Sequence, residues 1–232
     1  MGQPASSQGT RVLFVRHAQS ANRGGEPKQV SPDPSLSTRG QLQADALGER
    51  LGAELRGDAS NVVFVSSPMQ RCILTALPAA RRLGLPRERF ICHGSLFEYG
   101  CAGTDYPGTS PQEVASSFPE VTPVSFKPGG WDYEGRSAKE IEPETRDRSR
   151  RFLSWFFQLV RQPGPKLVVV FSHQTFLDLI LKTVVDGNPA DWMYGKIGFK
   201  LQNTAITEVE MTRKKAQIVR QNDASHLKTI RS

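Results

Sequence analysis

Val12-Leu13-Phe14-Val15-Arg16-His17-Ala18-Gln19-Ser20 is the stretch whose reading decides the fold. Apolar residues run without alternation into an arginine and a histidine. Such a run reads as a strand buried on both faces, as in a parallel sheet covered by helices. Packing alone gives that strand no reason to end in a cation and an imidazole, and in open α/β sheets ligands bind beyond this end. The pattern recurs twice. Val62-Val63-Phe64-Val65 runs into Ser66-Ser67-Pro68-Met69-Gln70-Arg71, and Leu167-Val168-Val169-Val170-Phe171 runs into Ser172-His173. Parallel neighbours would hand Arg16, His17, Arg71 and His173 to one rim. That set suits a phosphate group, because the planar guanidinium fork binds two phosphate oxygens at once.

Working outward, Leu36-Ser37-Thr38-Arg39-Gly40 opens a helix capped by Ser37 or Thr38, with Leu42, Leu47, Leu51 and Leu55 as its apolar stripe. Gln43, Asp45, Glu49 and Glu54 fall outside that stripe. A second helix follows Pro68, carries Ile73, Leu74, Leu77, Ala80 and Leu83 inward, and closes at Gly84; Pro78 predicts a kink in it. Phe90-Ile91-Cys92 reads as a short strand leading to Leu96-Phe97-Glu98. From Tyr99 to Gly135 the chain turns dense in Gly, Pro, Ser and Thr, with one short helix near 110–118. So long a stretch reads as a functional cover, anchored by Trp131 and Tyr133. A helix over about 143–162 turns Phe152, Phe156, Leu159 and Val160 inward and Arg148, Arg150 and Arg151 outward. After the third strand, an apolar helix starts near Thr175, and residues 204–211 alternate as a strand that pairs with 217–220. This order predicts a three-layer α/β/α sandwich with a mostly parallel central sheet. We expect one domain over 11–227 with the cover at about 99–135, a disordered leader over 1–10 and a mobile tail over 228–232.

Composition narrows the function classes. With 38% hydrophobic and 23% charged residues the chain has the make-up of a globular protein, and no apolar run approaches membrane-spanning length. The first nine residues lack the basic and apolar regions of a signal peptide. Three cysteines without CxxC spacing argue against a zinc site or a disulfide framework, and point to a reducing, cytoplasmic compartment. The net charge of +7 is scattered rather than gathered in a stripe, so nucleic acid is not expected as a partner. A positive field that draws in a phosphorylated anion accounts for the excess.

The chemistry follows from what a phosphoryl group needs: fixed positive donors, an in-line nucleophile and a proton for the leaving oxygen. No GxxxxGK[ST] loop is present, and no acidic cluster offers itself to magnesium. We therefore expect neither metal nor cofactor, and a covalent step in which a neutral histidine attacks. Taken one at a time, each residue has a plain reading: a strand-end histidine bonded to a carbonyl, or a surface arginine in an ion pair of little worth. Their conjunction at three strand ends is what points to chemistry.

Val15-Arg16-His17-Ala18-Gln19-Ser20 resembles the Arg-His-Gly/Ala signature of the histidine phosphatase superfamily, which includes the cofactor-dependent phosphoglycerate mutases. Ser66 to Arg71 resembles its second motif, Leu96-Phe97-Glu98 the stretch of its proton donor, Phe171-Ser172-His173 its late Ser-His-Gly block, and Asn203-Thr204-Ala205 the start of its final strand. The resemblance spans about 11–227 and implies a phosphoglycerate mutase-like fold. It makes His17 the nucleophile and Glu98 the general acid and later base. Arg16, Arg71 and His173 become the phosphate pocket, with Asn22 and Gln19 as further substrate contacts. Asn22 stands one residue early, Gln174 replaces the usual glycine after His173 and is expected to crowd the pocket, and Glu98-Tyr99-Gly100 lacks the mutase Glu-His-Tyr-Gly. These departures favour a phosphomonoester hydrolase over a mutase. A phosphoglycerate mutase and a catalytically silent phospho-ligand-binding module stand as the alternatives. The expected partner is a phosphorylated small molecule or a phosphoprotein; no membrane partner is expected, and a homodimer stays open.

Overall fold

A computed structural model describes residues 9–23, 31–100, 108–131, 142–161, 167–186, 198–212 and 215–230. Among them a sheet of seven strands forms in the order β4-β3-β2-β5-β1-β6-β7. The strands are β1 (Thr10–Arg16), β2 (Val62–Ser66), β3 (Phe90–His93), β4 (Thr122–Val124), β5 (Leu167–Ser172), β6 (Ile206–Met211) and β7 (Ala216–Asp223). β4, β3, β2, β5 and β1 pair in parallel, while β6 and β7 add an antiparallel edge. The helices are α1 (Thr38–Leu55), α2 (Gln70–Leu83), α3 (Pro111–Ser117), α4 (Glu142–Arg161) and α5 (Gln174–Asp186).

The central strands are covered on both faces, which is why their sequences are continuously apolar. Leu13 and Val15 enter one core with Leu47, Leu51 and Leu55 of α1 and Ile73 and Ala76 of α2. Val12 and Phe14 enter the opposite core with Phe152 and Phe156 of α4 and Phe176, Leu177 and Ile180 of α5. Each such side chain contributes roughly 1.5–3 kcal/mol by leaving water. The expected three layers and mostly parallel sheet are thus present. The register decides the site: Arg16 lies beside Ser172 across β1 and β5, and Ser66 beside Phe171 across β2 and β5. Three strands with the same direction and aligned ends must deliver their next residues to one rim.

Helix starts sit against that rim. Ser37 caps α1 by accepting from the Gly40 amide at 3.0 Å. Gly40 is required there, because a Cβ would lie 2.0 Å from the Gln19 carbonyl oxygen. About two helical turns further, a Cβ on Gly48 would meet the ring of Pro78 at 2.7 Å, so α1 and α2 pack backbone to backbone. Pro78 is accommodated within α2, which ends at Gly84 with φ +59°.

Several expectations are corrected. Leu42 is 53% exposed and leaves the α1 stripe, while Gln43, expected outside, is buried because its side-chain oxygen accepts from the Gln19 amide at 2.9 Å. Arg148, also expected outside, is 1% exposed. The stretch read as a cover contributes edge strand β4 besides the expected short helix α3, which opens with a Ser110–Glu113 capping box. β6 starts at Ile206 rather than 204, since Thr204 has φ +57°, and its residues are nearly all buried instead of alternating. Trp131 is buried and stacks on Phe97 at 5.5 Å between ring centroids. The leader through residue 8, Cys101, Tyr106, Tyr133 and the end of the tail at 231–232 lie outside the described residues.

Candidate active site

The backbone beyond β1 is fixed first. The His17 amide donates to the Ser172 carbonyl at 2.9 Å, the Asn203 side chain donates to the His17 carbonyl at 2.7 Å, and the Thr204 amide donates to the Arg16 carbonyl at 2.9 Å. The chain at 16–18 is therefore held from both neighbouring strands. One helical hydroxyl adds to this: Thr75 accepts from the Ala18 amide at 2.9 Å and donates to the Arg71 carbonyl at 2.6 Å.

The His17 ring is 8% exposed for the whole residue, and its Nδ1 sits 2.6 Å from the Ala18 carbonyl oxygen. A carbonyl only accepts, so Nδ1 carries the ring proton and the lone pair is left on Nε2. Burial, and next the Arg71 charge, hold this imidazole well below its ordinary range. His17 is thus a neutral base with its free nitrogen defined by geometry.

His173 lies with its ring centroid 5.1 Å from that of His17. Its Nδ1 faces Arg71 Nη2 at 3.1 Å, and its Nε2 faces Ser67 Oγ at 2.8 Å. Guanidinium only donates, so Nδ1 accepts and Nε2–H donates to Ser67. Burial and the Arg71 charge keep this ring neutral too. His173 therefore orients Arg71, the second residue of α2, instead of offering a free nitrogen to the rim. Cys72 also touches His173, with Sγ 3.5 Å from Nε2, but burial pushes its thiol up and leaves it protonated.

Arg16 reaches across β1 to donate from Nη1 to the Leu201 carbonyl at 2.7 Å, and its buried Nε has no hydrogen-bond partner among the described residues. Glu98 approaches from beyond β3. Its Oε2 accepts from the Thr175 amide at 3.2 Å and its Oε1 from the amides of Phe176 and Tyr99 at 3.1 and 2.9 Å. The carboxyl therefore sits on the first turn of α5, directly after His173. Burial raises its pKa, against the lowering effect of those amides and of Arg71. A carboxyl in this setting exchanges a proton more readily near neutrality than an exposed glutamate does.

The structure brings His17, Arg16, Arg71, His173 and Glu98 to one rim. The two remaining sequence candidates make other contacts. Gln19 turns its side-chain oxygen to Ser37 Oγ at 2.8 Å, supporting the α1 cap, and exposed Asn22 donates to the Ser31 carbonyl at 3.1 Å.

Sequence reasoning missed three supporting residues. Arg148 donates to the carbonyls of Ser95 and Phe97, each at 2.8 Å, and its guanidinium lies over the rings of Phe97 and Phe176 at 3.6 and 4.2 Å. It holds the segment that carries Glu98. Its signal was its place four residues before Phe152, on the same helix face. Asp33 accepts from the Gln70 amide with both oxygens, at 3.2 and 3.1 Å, and so caps the helix that carries Arg71; burial pushes it up to about 6. Gln174 does not crowd the rim: its amide donates to the Phe199 carbonyl at 2.7 Å and its oxygen accepts from the Leu201 amide at 2.8 Å. Among the described residues no group of three His, Cys, Asp or Glu side chains could hold a metal, and no helix is long and apolar enough to cross a membrane.

A family model described as the histidine phosphatase superfamily (branch 1) matches residues 12–224. A metal-independent phosphoserine phosphatase of Arabidopsis thaliana is 25% identical over 232 residues, covering 97% of this chain and 86% of the relative. Among solved structures, the mycobacterial glucosyl-3-phosphoglycerate phosphatase in complex with VO3 is 19% identical, with a TM-score of 0.60 over 92% of this chain and 99% of that one. The ecdysone phosphate phosphatase of Bombix mori in complex with tungstate is 17% identical, with a TM-score of 0.63 over 92% and 93%. At these identities the two structures establish the likeness of fold.

Proposed function

The chain belongs to the histidine phosphatase superfamily, and from that premise we propose that it hydrolyses phosphomonoesters through a phosphohistidine on His17. The observation that carries the reading is the Nδ1 contact with the Ala18 carbonyl, which leaves Nε2 as a neutral nucleophile beside two guanidiniums.

In the first step the substrate phosphate is gripped by Arg16 and Arg71, the latter held in place by His173. The Nε2 lone pair attacks phosphorus, the P–O ester bond breaks, and the departing oxygen takes the proton from Glu98. In the second step water gives a proton to the Glu98 carboxylate and its oxygen attacks phosphorus. The N–P bond breaks, phosphate leaves, and His17 and protonated Glu98 are restored. Proton delivery of this kind contributes roughly 10²–10⁴-fold. The named relatives are phosphatases, one of them metal-independent, which supports a mechanism run on side chains alone. The substrate is a phosphorylated small molecule or phosphoprotein, and the compartment the cytoplasm; the buried free thiols of Cys72 and Cys92 fit a reducing setting.

Rapid quenching during turnover of phenyl phosphate tests the reading. We expect a phosphoryl adduct on His17 that is stable in alkali and lost in acid, as a phosphoramidate is. An acid-stable adduct, or one that persists in His17→Ala, overturns it. Hydrolysis that needs no bisphosphorylated primer separates this activity from a mutase.

A further inference from the structure

Beside the phosphate cradle, toward β6, lies a cavity of about 590 Å³ whose lining includes Arg16, Arg39, Lys200, Gln174, Gln202 and Asn203. Its volume falls in the range of small-molecule sites. Among the described residues three cations line it and no carboxylate does. Neither Arg39 nor Lys200 forms an ion pair with another described residue, although arginines elsewhere in the molecule find carboxylates readily.

The wall bearing Lys200 is built rather than incidental. Segment 198–203 is extended and is fastened to α5 by two side chains one turn apart. Gln174 holds Phe199 and Leu201 by their backbone groups, and Asp178 Oδ1 accepts from the Phe199 amide at 2.6 Å. With Phe199 and Leu201 buried at 7% and 1%, the alternation of an extended chain turns Lys200 and Gln202 outward, to the cavity. Arg39 comes from the first turn of α1, in which Gly40 is locked against Gln19 and Gln43 bonds the Gln19 amide. The floor is Arg16, whose Nη1 is tied to Leu201 and whose Nε has no hydrogen-bond partner among the described residues.

Arg39 and Lys200 are exposed at the open cavity, and like charges gathered around one cleft raise a positive field that attracts an anion. The cavity shares Arg16 with the cradle that would take the scissile phosphate. We propose that Arg39 and Lys200 form a second anion subsite, so that the preferred substrates carry another anionic group, a carboxylate or second phosphate, on the alcohol being released. This inference rests on the phosphatase reading and narrows its substrate class.

The test compares ω-phosphocarboxylates of two to six carbons with the phosphate esters of the matching neutral alcohols. At the chain length that spans the two sites, kcat/KM for the carboxylate should exceed that of its neutral partner by about tenfold, or ~1.4 kcal/mol. The gain should lie in KM. In Arg39→Ala/Lys200→Ala the ratio should fall toward one, and in Arg39→Glu/Lys200→Glu it should invert, a result that a folding defect does not produce. A ratio near one at every length in the wild type, or one untouched by both double variants, overturns the subsite while leaving the phosphatase reading in place. Absence of hydrolysis of every ester overturns the phosphatase reading instead. The subsite is then read from calorimetric titration with sulfate: two sites in the wild type and one in Arg39→Ala/Lys200→Ala support it, and a single site in both overturns it.

Discussion

Between α1, β1, β6 and β7, the guanidiniums of Arg11, Arg50 and Arg220 interlock with the carboxylates of Glu54, Glu208 and Asp223. At the rim, a few residues along the same β1 strand, Arg16 rests on a backbone carbonyl and Arg71 on a neutral imidazole. One residue type serves both regions, but its holders differ. A carboxylate holder consumes the charge: Arg50 drives the Asp223 carboxyl far down, and Glu208 pushes the Arg11 guanidinium up. A neutral holder fixes direction and leaves the charge for a ligand. What marks an arginine as functional here is therefore its partner, not its burial.

The largest effect that would test this contrast is at the nucleophile. His17→Ala should lower kcat on any phosphomonoester by at least ~10⁴-fold, since the covalent route is lost as a unit. Arg71→Ala should lower it by on the order of 10²–10³-fold, the scale of one aligned charge donor. Steady-state kinetics with p-nitrophenyl phosphate reads both. A loss below tenfold in either variant would remove the rim from the mechanism.

Glu98→Gln gives a more selective loss, smaller than either on p-nitrophenyl phosphate. The rate should drop by roughly 10²–10⁴-fold for alkyl phosphates and far less for p-nitrophenyl phosphate, whose leaving group needs no proton. The pH profile follows from the two directions of shift. His17 is held well below the ordinary histidine range and must be neutral to attack, so the acid limb of kcat/KM lies below pH 6.5. Glu98 is raised above an ordinary glutamate and must be protonated to donate, so the alkaline limb follows its titration. The wild type should favour mildly acidic pH, and Glu98→Gln should lose the alkaline limb.

How much of this was legible in the sequence depends on the kind of force involved. Strands β1, β2 and β5 were legible because burial on both faces writes an unbroken apolar run, and their polar exits named the rim residues. β4 was not, because Thr122-Pro123-Val124 is a three-residue edge strand whose pairing comes from β3. Arg148 was misplaced because a charge is expected outside, and only the backbone carbonyls and aromatic faces around it reveal why it is buried. Gln19 was assigned to the ligand from its nearness to His17, and the sequence did not announce that its side-chain oxygen accepts from Ser37 Oγ at the cap of α1. Gln174 looked obstructive by analogy with glycine; the extended segment 198–203, formed by tertiary contacts, shows where its side chain goes.

Asp33 sharpens the contrast with a third effect, this time on stability. It is a buried carboxylate near Arg71, yet burial wins over that charge and its folded pKa is about 6, against 3.8 for the ordinary side chain. Between those values the native chain holds a proton that the unfolded chain has released. Stability should therefore fall as pH rises from about 4 to about 6. Asp33→Asn should remove on the order of 1–3 kcal/mol of that dependence, read from urea midpoints across the pH range. An aspartate paired as Asp223 is would give the opposite slope.

The smallest effect on catalysis is expected in the charged network itself. Glu208 is 6% exposed, lies beside Leu13 in the β1–β6 register, and holds Arg11 at 2.7 Å and Arg220 at 2.9 Å. Glu208→Gln keeps the shape and one acceptor but leaves two guanidiniums short of a counter-charge. Because both arginines are partly solvated and keep Glu54, the cost should be about 1–2 kcal/mol, less than for a sealed buried pair, and should shrink with added salt. Melting temperature and kcat/KM measured on the same preparation then separate the regions, with the first falling and the second staying within twofold of wild type. If activity fell instead, β1 would be transmitting the network's charge balance to Arg16, three residues further along, and structural and ligand-facing arginines could no longer be sorted by partner.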